Sequence, residues 1–325
     1  MSKSKLPTHP SDAWRCAFRA PPQLVRRIAC QRGRVVAGAE QIFLLKPGAE
    51  HFMCRERPDK TGPIIAIAAE GRGPGRVAVA TEGGQVSVIP SQGVGIFRGR
   101  NSLGSDASHL AWGPPSPAGP SPLYIRWDHG ELTCLSAELE MHAYEDMGQV
   151  DAIASDDNGV LVAVSFEGPE AGAKVTRDGR EWVFRKIHIE ADAAPAQVHL
   201  AIAENAIAMT IGDGHVYLSR APDQDLERCG ALPNATGPIA FQGASSDAAL
   251  LAFVHDRGTV ATVRLDESGT LTRISELETD APSEIARGFF TDAAWDASRN
   301  TLWAASPMGG LCEYVAPGAR KGRLS

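Results

Sequence analysis

The sequence predicts an all-β chain built as a closed ring of seven four-stranded antiparallel modules. Three observations predict it: a strand, glycine turn, strand unit recurs along the 325 residues; the turn glycines keep a near-regular spacing; and a strand of small and branched residues precedes each unit.

The first unit joins residues 34–37 to 42–45 through Gly38 and Ala39. The second joins 77–81 to 86–89 through Glu82-Gly83-Gly84, and the third joins 123–127 to 132–135 through Asp128-His129-Gly130. In the fourth, 160–166 and 174–176 flank a longer loop containing Gly168 and Gly172. The fifth and sixth turn at Gly212-Asp213-Gly214 and Asp256-Arg257-Gly258, between strands 207–211 and 216–218 and between 250–254 and 260–263. The seventh joins 302–305 to 311–315 through Met308-Gly309-Gly310. The closing glycines at 84, 130, 214, 258 and 310 lie 46, 84, 44 and 52 residues apart, and the gap of 84 is two units of 42, which makes room for the fourth unit. Glycine is needed there because a tight hairpin takes a positive φ that other residues adopt only at a cost.

Strands opening the units are expected at 24–30, 64–69, 109–112, 150–154, 198–203, 239–242 and 289–295. Their small side chains suit a crowded axis where several sheets converge. Fourth strands follow, for example at 52–57, 94–100, 182–189 and 271–277. The seventh unit has none after Val315, and residues 13–20, reading Ala-Trp-Arg-Cys-Ala-Phe-Arg-Ala, have the composition to supply it and so to cover an open edge. A short helix is expected within 137–147, and the proline-rich stretch 114–122 reads as a loop inside the third unit. The expected organisation is a disordered tail at 1–12, one domain over 13–316 and a flexible basic tail at 317–325. The units are bounded at 22–62, 63–105, 106–148, 149–194, 195–237, 238–284 and 285–316, the last completed by 13–20.

Four strands per unit of this length, each sheet burying both faces, resembles the β-propeller superfamily over nearly the whole chain, from Asp12 to Val315. The resemblance implies a seven-bladed β-propeller whose last blade is closed by an N-terminal strand. The Trp-Asp dipeptide of WD-repeat blades stands at Trp127-Asp128 and Trp295-Asp296, without the accompanying Gly-His. The segment Thr176-Arg177-Asp178-Gly179-Arg180-Glu181-Trp182 resembles an Asp-box turn, with threonine in place of serine and one residue fewer before the tryptophan. In size and class the chain is also similar to the propeller members of bacterial ternary systems that pair with MoxR-type AAA+ ATPases and von Willebrand A proteins. That likeness implies a cytoplasmic protein with one of those as partner.

Composition narrows the function classes. Hydrophobic residues at 43% and charged residues at 22% are ordinary for a globular chain with a large core. Glu70, Glu204 and Asp256 interrupt the most apolar stretches, and the lysine- and proline-bearing start has no apolar run, so neither a membrane span nor a signal peptide is expected. Cys16, Cys30, Cys54, Cys134, Cys229 and Cys312 lie far apart with no CxxC spacing and read as buried reduced thiols. Residues 1–100 carry a net charge of +9 and residues 101–325 a net −16. Such asymmetry marks a candidate interaction surface.

Catalytic motifs are missing: there is no GxxxxGK[ST], GxSxG or HExxH, and Gly71-Arg72-Gly73-Pro74-Gly75 lacks the strand-turn-helix setting of a phosphate loop. The enzyme reading is a metal-dependent propeller hydrolase or lactonase, with His109, Asp151, His199 and Asp292, on or beside the opening strands, as metal ligands. The same polar residues also suit a channel that binds only ordered water. The binding reading rests on arginine. Arg15 and Arg19, Arg55 and Arg57, and Arg98 and Arg100 form three pairs of like parity on fourth strands, so each pair points to one face. If residues 13–20 close the ring, the three strands are neighbours and their arginines form one outer arc. Arginine on such strands also guards against edge-to-edge pairing, and it binds carboxylate in bidentate fashion. Nucleic acid fits less well, because the net charge is −7 and no aromatics interleave the arginines. The expected function is therefore a non-catalytic scaffold that binds protein partners, without a cofactor.

Overall fold

The computed structural model describes residues 15–19, 25–31, 34–46, 52–55, 62–71, 75–90, 97–100, 105–114, 120–136, 140–143, 147–166, 171–177, 181–188, 197–204, 206–212, 214–221, 223–231, 239–241, 250–254, 260–265, 271–277, 291–306 and 310–315. Among these residues every regular element is a strand apart from single-residue features, and the strands fall into four-stranded antiparallel sheets.

Strand β1 (Arg15–Arg19) comes first. The next sheet holds β2 (Arg27–Gln31), β3 (Arg34–Gly38), β4 (Ile42–Leu45) and β5 (Met53–Arg55). It is followed by β6 (Ile64–Ala69), β7 (Val77–Thr81), β8 (Gln85–Ile89) and β9 (Phe97–Arg100). Then come β10 (Ala107–Trp112), β11 (Leu123–Trp127), β12 (Leu132–Leu135) and β13 (Met141–Ala143). A further sheet contains β14 (Ala152–Ser155), β15 (Leu161–Ser165), β16 (Gly172–Thr176) and β17 (Val183–Lys186). The next has β18 (Val198–Ala203), β19 (Ala206–Ile211), β20 (His215–Ser219) and β21 (Glu227–Ala231). After it stand β22 (Ile239–Phe241), β23 (Leu250–Val254), β24 (Val260–Leu265) and β25 (Leu271–Leu277). The last segment gives β26 (Asp292–Asp296), β27 (Thr301–Ser306) and β28 (Gly310–Val315), and β28 pairs antiparallel with β1 in the register Arg15↔Val315 to Arg19↔Leu311.

The first strand of each sheet touches the first strand of the next: β2 meets β6, β6 meets β10, β10 meets β14, β14 meets β18, β18 meets β22, β22 meets β26, and β26 meets β2. Between neighbouring sheets lie apolar seams, because the middle strands read as continuous hydrophobic runs buried on both faces. One seam packs Val35, Phe43 and Leu45 against Trp303 and Leu311, and another packs Ala78 and Val86 against Trp112, Ile125 and Trp127. Trp127 and Trp303 are fully buried, and Trp127 Nε1 donates to Thr133 Oγ1 at 2.9 Å.

Two glycines show why the chain spends them where it does. Gly84 closes the β7–β8 turn at φ 78°, a conformation costly for any residue with a Cβ. Gly159 combines φ 83° with a close approach, since a Cβ there would stand 2.7 Å from Pro114 Cα in the connection between β10 and β11.

Several expectations change. Of the helix expected within 137–147, residues 141–143 form β13 instead, because the open edge of β12 offers a ladder of backbone partners, Thr133↔Ala143 to Leu135↔Met141, that outweighs local propensity, while 137–139 and 144–146 lie outside the described residues. Gly172 opens β16 rather than sitting in a loop, and the Phe184 ring occupies the space a Cβ there would need. Cys54 is exposed on β5 and Cys30 and Cys229 are only partly covered, while Cys134 and Cys312 are buried. The two Trp-Asp dipeptides are not equivalent: Trp127 ends the second strand of its sheet, whereas Trp295 sits on the first strand of its own. The Asp-box-like segment spans the connection between β16 and β17, with 178–180 outside the described residues. The expected tails at 1–12 and 317–325 also lie outside them.

Candidate binding site at the channel mouth and the outer strands

The first strands surround a cavity of about 480 Å³, walled by β2, β6, β10, β14, β18 and the start of β26. At the end where these strands begin, polar side chains gather: Arg27, Ser108, His109, His199, Thr291 and Asp292. Two β-bulges sit at this same end, at Ile65 in β6 and at Ser108 in β10, where a register shift re-aims the neighbouring side chains.

Backbone carbonyls hold the two arginines. Arg27 donates from Nε to Ile65 O at 2.5 Å and from Nη1 to Arg26 O and Thr291 O, so it bridges β2, β6 and the approach to β26. Arg126, opposite His109 in the β10–β11 register, donates from Nε to Val150 O at 2.8 Å and from Nη1 to Ser108 Oγ at 2.7 Å. Ser108 Oγ also lies 3.1 Å from His109 Nδ1. Among the described residues, neither guanidinium forms an ion pair.

Of the four residues read as metal ligands, His109, His199 and Asp292 line the cavity, whereas Asp151 precedes β14 and is not part of the wall. Both carboxylates are spent on the backbone. Asp292 accepts from Ile28 N–H at 2.9 Å and Ala293 N–H at 3.0 Å, and Asp151 accepts from Phe166 N–H at 2.8 Å. Among the described residues no group of three or more His, Cys, Asp or Glu stands close enough to share a metal ion. Burial first, and after it the charges of Arg126, His199 and Arg27, push the His109 pKa down to about 3. Burial raises Asp292 to about 6, against the opposing pull of Arg27 and the two amide donors.

The opposite end is locked by a buried ion pair. Arg76 donates to both Glu70 oxygens, at 3.1 and 2.8 Å, and to Ser121 O at 2.5 Å, while its guanidinium lies 4.4 Å from the Trp112 ring centroid. The glycine-rich connection between β6 and β7, whose residues 72–74 lie outside the described set, is thus gripped at its base. Nearby, Gln31 Nε2 donates to Asp156 O at 3.4 Å, joining the sheet of β2 to that of β14.

Arg15 and Arg19 stand on β1, Arg55 on β5, and Arg98 and Arg100 on β9. Each of these is the last strand of its sheet. Arg57 lies outside the described residues. The last strands also carry the large exposed apolar side chains Met53, Val183 and Phe184. Beyond β17 an isolated parallel bridge pairs Ile187 with Leu226, and His188 lies 3.5 Å from both Asp225 and Glu227, stitching two neighbouring sheets at their outer edge.

No family model and no curated protein matches the sequence. Solved structures do match in shape. A chain of the crystal structure of the mitotic checkpoint complex superposes with a TM-score of 0.65 over 97% of this chain and 96% of that one, at 11% identity. YCF48 bound to D1 peptide superposes with a TM-score of 0.60 over 96% of this chain and 98% of that one, at 13% identity. The fold is a β-propeller. In propeller terms the first strands are the inner strands around the channel and β1, β5 and β9 are outer strands of their blades. At such low identity the likeness carries the propeller architecture and leaves function to the residues themselves. Among the described residues no helix is long and apolar enough to cross a membrane.

The sequence reading missed Arg27 and Arg126, which organise the channel mouth more than the histidines do. The available signal was position: Arg27 falls within the segment expected as an inner strand, and Arg126 lies in a strand expected to pair with the one bearing His109.

Proposed function

We propose that this chain is a non-catalytic protein-interaction scaffold, a seven-bladed propeller closed by its N-terminal strand, that serves a cytoplasmic bacterial multi-protein system. The observation that carries the reading is the order of the sheets. β1, β5 and β9 end three sheets whose inner strands β26, β2 and β6 are consecutive neighbours, so the basic strands share one side of the molecule. Arginine there offers planar, bidentate contacts to carboxylates, which favours an acidic protein surface as partner. Similarity to a chain of a multi-protein checkpoint complex and to a propeller holding a peptide supports the same class of role.

Of the partners that the sequence resemblance names, an AAA+ ATPase or a von Willebrand A protein is the first to test. Charge reversal at Arg55, Arg57, Arg98 and Arg100 is expected to abolish capture of such a partner in a pull-down while leaving the melting temperature unchanged. Undiminished capture by the reversed variant rejects the docking surface.

A further inference from the structure

We propose that the channel end where the inner strands begin is a binding site for a small oxyanion, a carboxylate or a phosphate, taken by Arg27, His109 and His199 with Arg126 behind them. This is a site separate from the outer strands and does not depend on their partner.

The geometry supplies a cavity of about 480 Å³, ample for a small anion and its waters. Arg27, Ser108, His109 and His199 all line it, from three different sheets. The guanidinium groups are fixed before any ligand arrives: Arg27 spends Nε and Nη1 on the carbonyls of Ile65, Arg26 and Thr291, and Arg126 spends Nε and Nη1 on Val150 O and Ser108 Oγ. Pre-placed donors bind an anion without the entropy cost of ordering long side chains on arrival. The nearby carboxylates, Asp292, which also lines the cavity, and Asp151, are held by backbone amides of β2, β26 and the segment after β15 and, among the described residues, not by an ion pair with either arginine. The lining thus includes the side chains of Arg27, His109 and His199, and at His109 the charges of Arg126, His199 and Arg27 add, after burial, to the lowering of its pKa. Two bulges placed at this end, at Ile65 and Ser108, are the kind of local irregularity that aims side chains at a site.

The test is a titration of the whole protein, labelled with nitrogen-15, with sodium phosphate and separately with sodium malonate at constant ionic strength. Arginine Nε–H and histidine ring signals are followed. The expected result is saturable shifts of Arg27, His109 and His199 signals with one or both anions, the responding anion naming phosphate or carboxylate as the ligand class. Arg27→Gln should weaken the apparent affinity by at least about ten-fold, the loss expected for one charge-assisted hydrogen bond. Because Arg27 also ties β2 to β6, His199→Gln serves as the second variant, and it should weaken binding with the melting temperature unchanged. Absence of saturable shifts in the unsubstituted protein overturns the proposal, and so do shifts of equal size and midpoint in both variants.

Discussion

Asp292 accepts a hydrogen bond from the backbone amide of Ile28 across 264 positions of sequence, 2.9 Å long, and through it the first residue of β26 is pinned to β2. The same carboxylate also accepts from Ala293 N–H, and Thr291 just before it donates from Oγ1 to Arg26 O at 2.7 Å. The last and first sheets are thus joined by polar bonds at the channel mouth as well as by the Trp303 seam.

Asp292→Ala leaves the Ile28 amide without its acceptor and should cost about 1–3 kcal/mol of stability, the usual penalty for an orphaned buried donor. Urea denaturation of the two proteins measures it. A midpoint equal to that of the unsubstituted chain would show that the bond contributes nothing.

Acid stability should hide two opposite effects. Asp292 holds its proton up to about pH 6 when folded against 3.8 for the ordinary group, so between those values the folded state binds the extra proton and this group's contribution rises as pH falls. His109 runs the other way. Its pKa of about 3, against 6.5, means the unfolded chain gains a proton that the folded one refuses, so its contribution falls as pH drops through that window. Each slope is at most about 1.4 kcal/mol per pH unit, and the two largely cancel where they overlap. His109→Asn removes the destabilising slope, so the variant's stability relative to the parent should climb as pH is lowered from about 6 to 4. Parallel stability curves over that range would contradict the assignment.

The Glu70–Arg76 pair is nearly dry, with side chains 0% and 11% exposed. Arg76→Ala strands a buried carboxylate and should cost about 3–5 kcal/mol, whereas the double change Glu70→Leu with Arg76→Met should recover much of that loss. A double-mutant cycle by chemical denaturation reads the coupling. Additive single effects would show that the two groups do not act together.

How much of this was legible from the sequence depends on burial. The middle strands announce themselves: Val77-Ala-Val-Ala-Thr81 and Gln85-Val-Ser-Val-Ile89 are apolar runs around a glycine turn, and both folded as the pattern implied. The inner strands at Ile64–Ala69 and Val198–Ala203 were equally clear, because small apolar residues have few other uses in such a run. Outer strands were hard to see. β13 is Met-His-Ala, with His142 exposed, and β21 is the largely exposed Glu-Arg-Cys-Gly-Ala; neither has an alternation to detect, and they exist because the preceding strand presents an unpaired edge. In the candidate site the histidines were visible as unusual residues on inner strands. What they face was not, since the approach of Arg126 and Arg27 depends on the β10–β11 register, its bulge, and contact between sheets far apart in sequence.

The most direct test of the account is whether the N-terminal strand closes the last blade in the observed register. In a Cys16→Ser background, Arg15→Cys with Val315→Cys places two thiols on directly opposed residues of β1 and β28, within reach of a disulfide. Arg15→Cys with Leu311→Cys is the offset control. Rapid oxidation of the first pair in the folded protein, with little for the control, is the predicted result; equal or absent cross-linking of both would contradict the closure on which the proposed arginine surface depends.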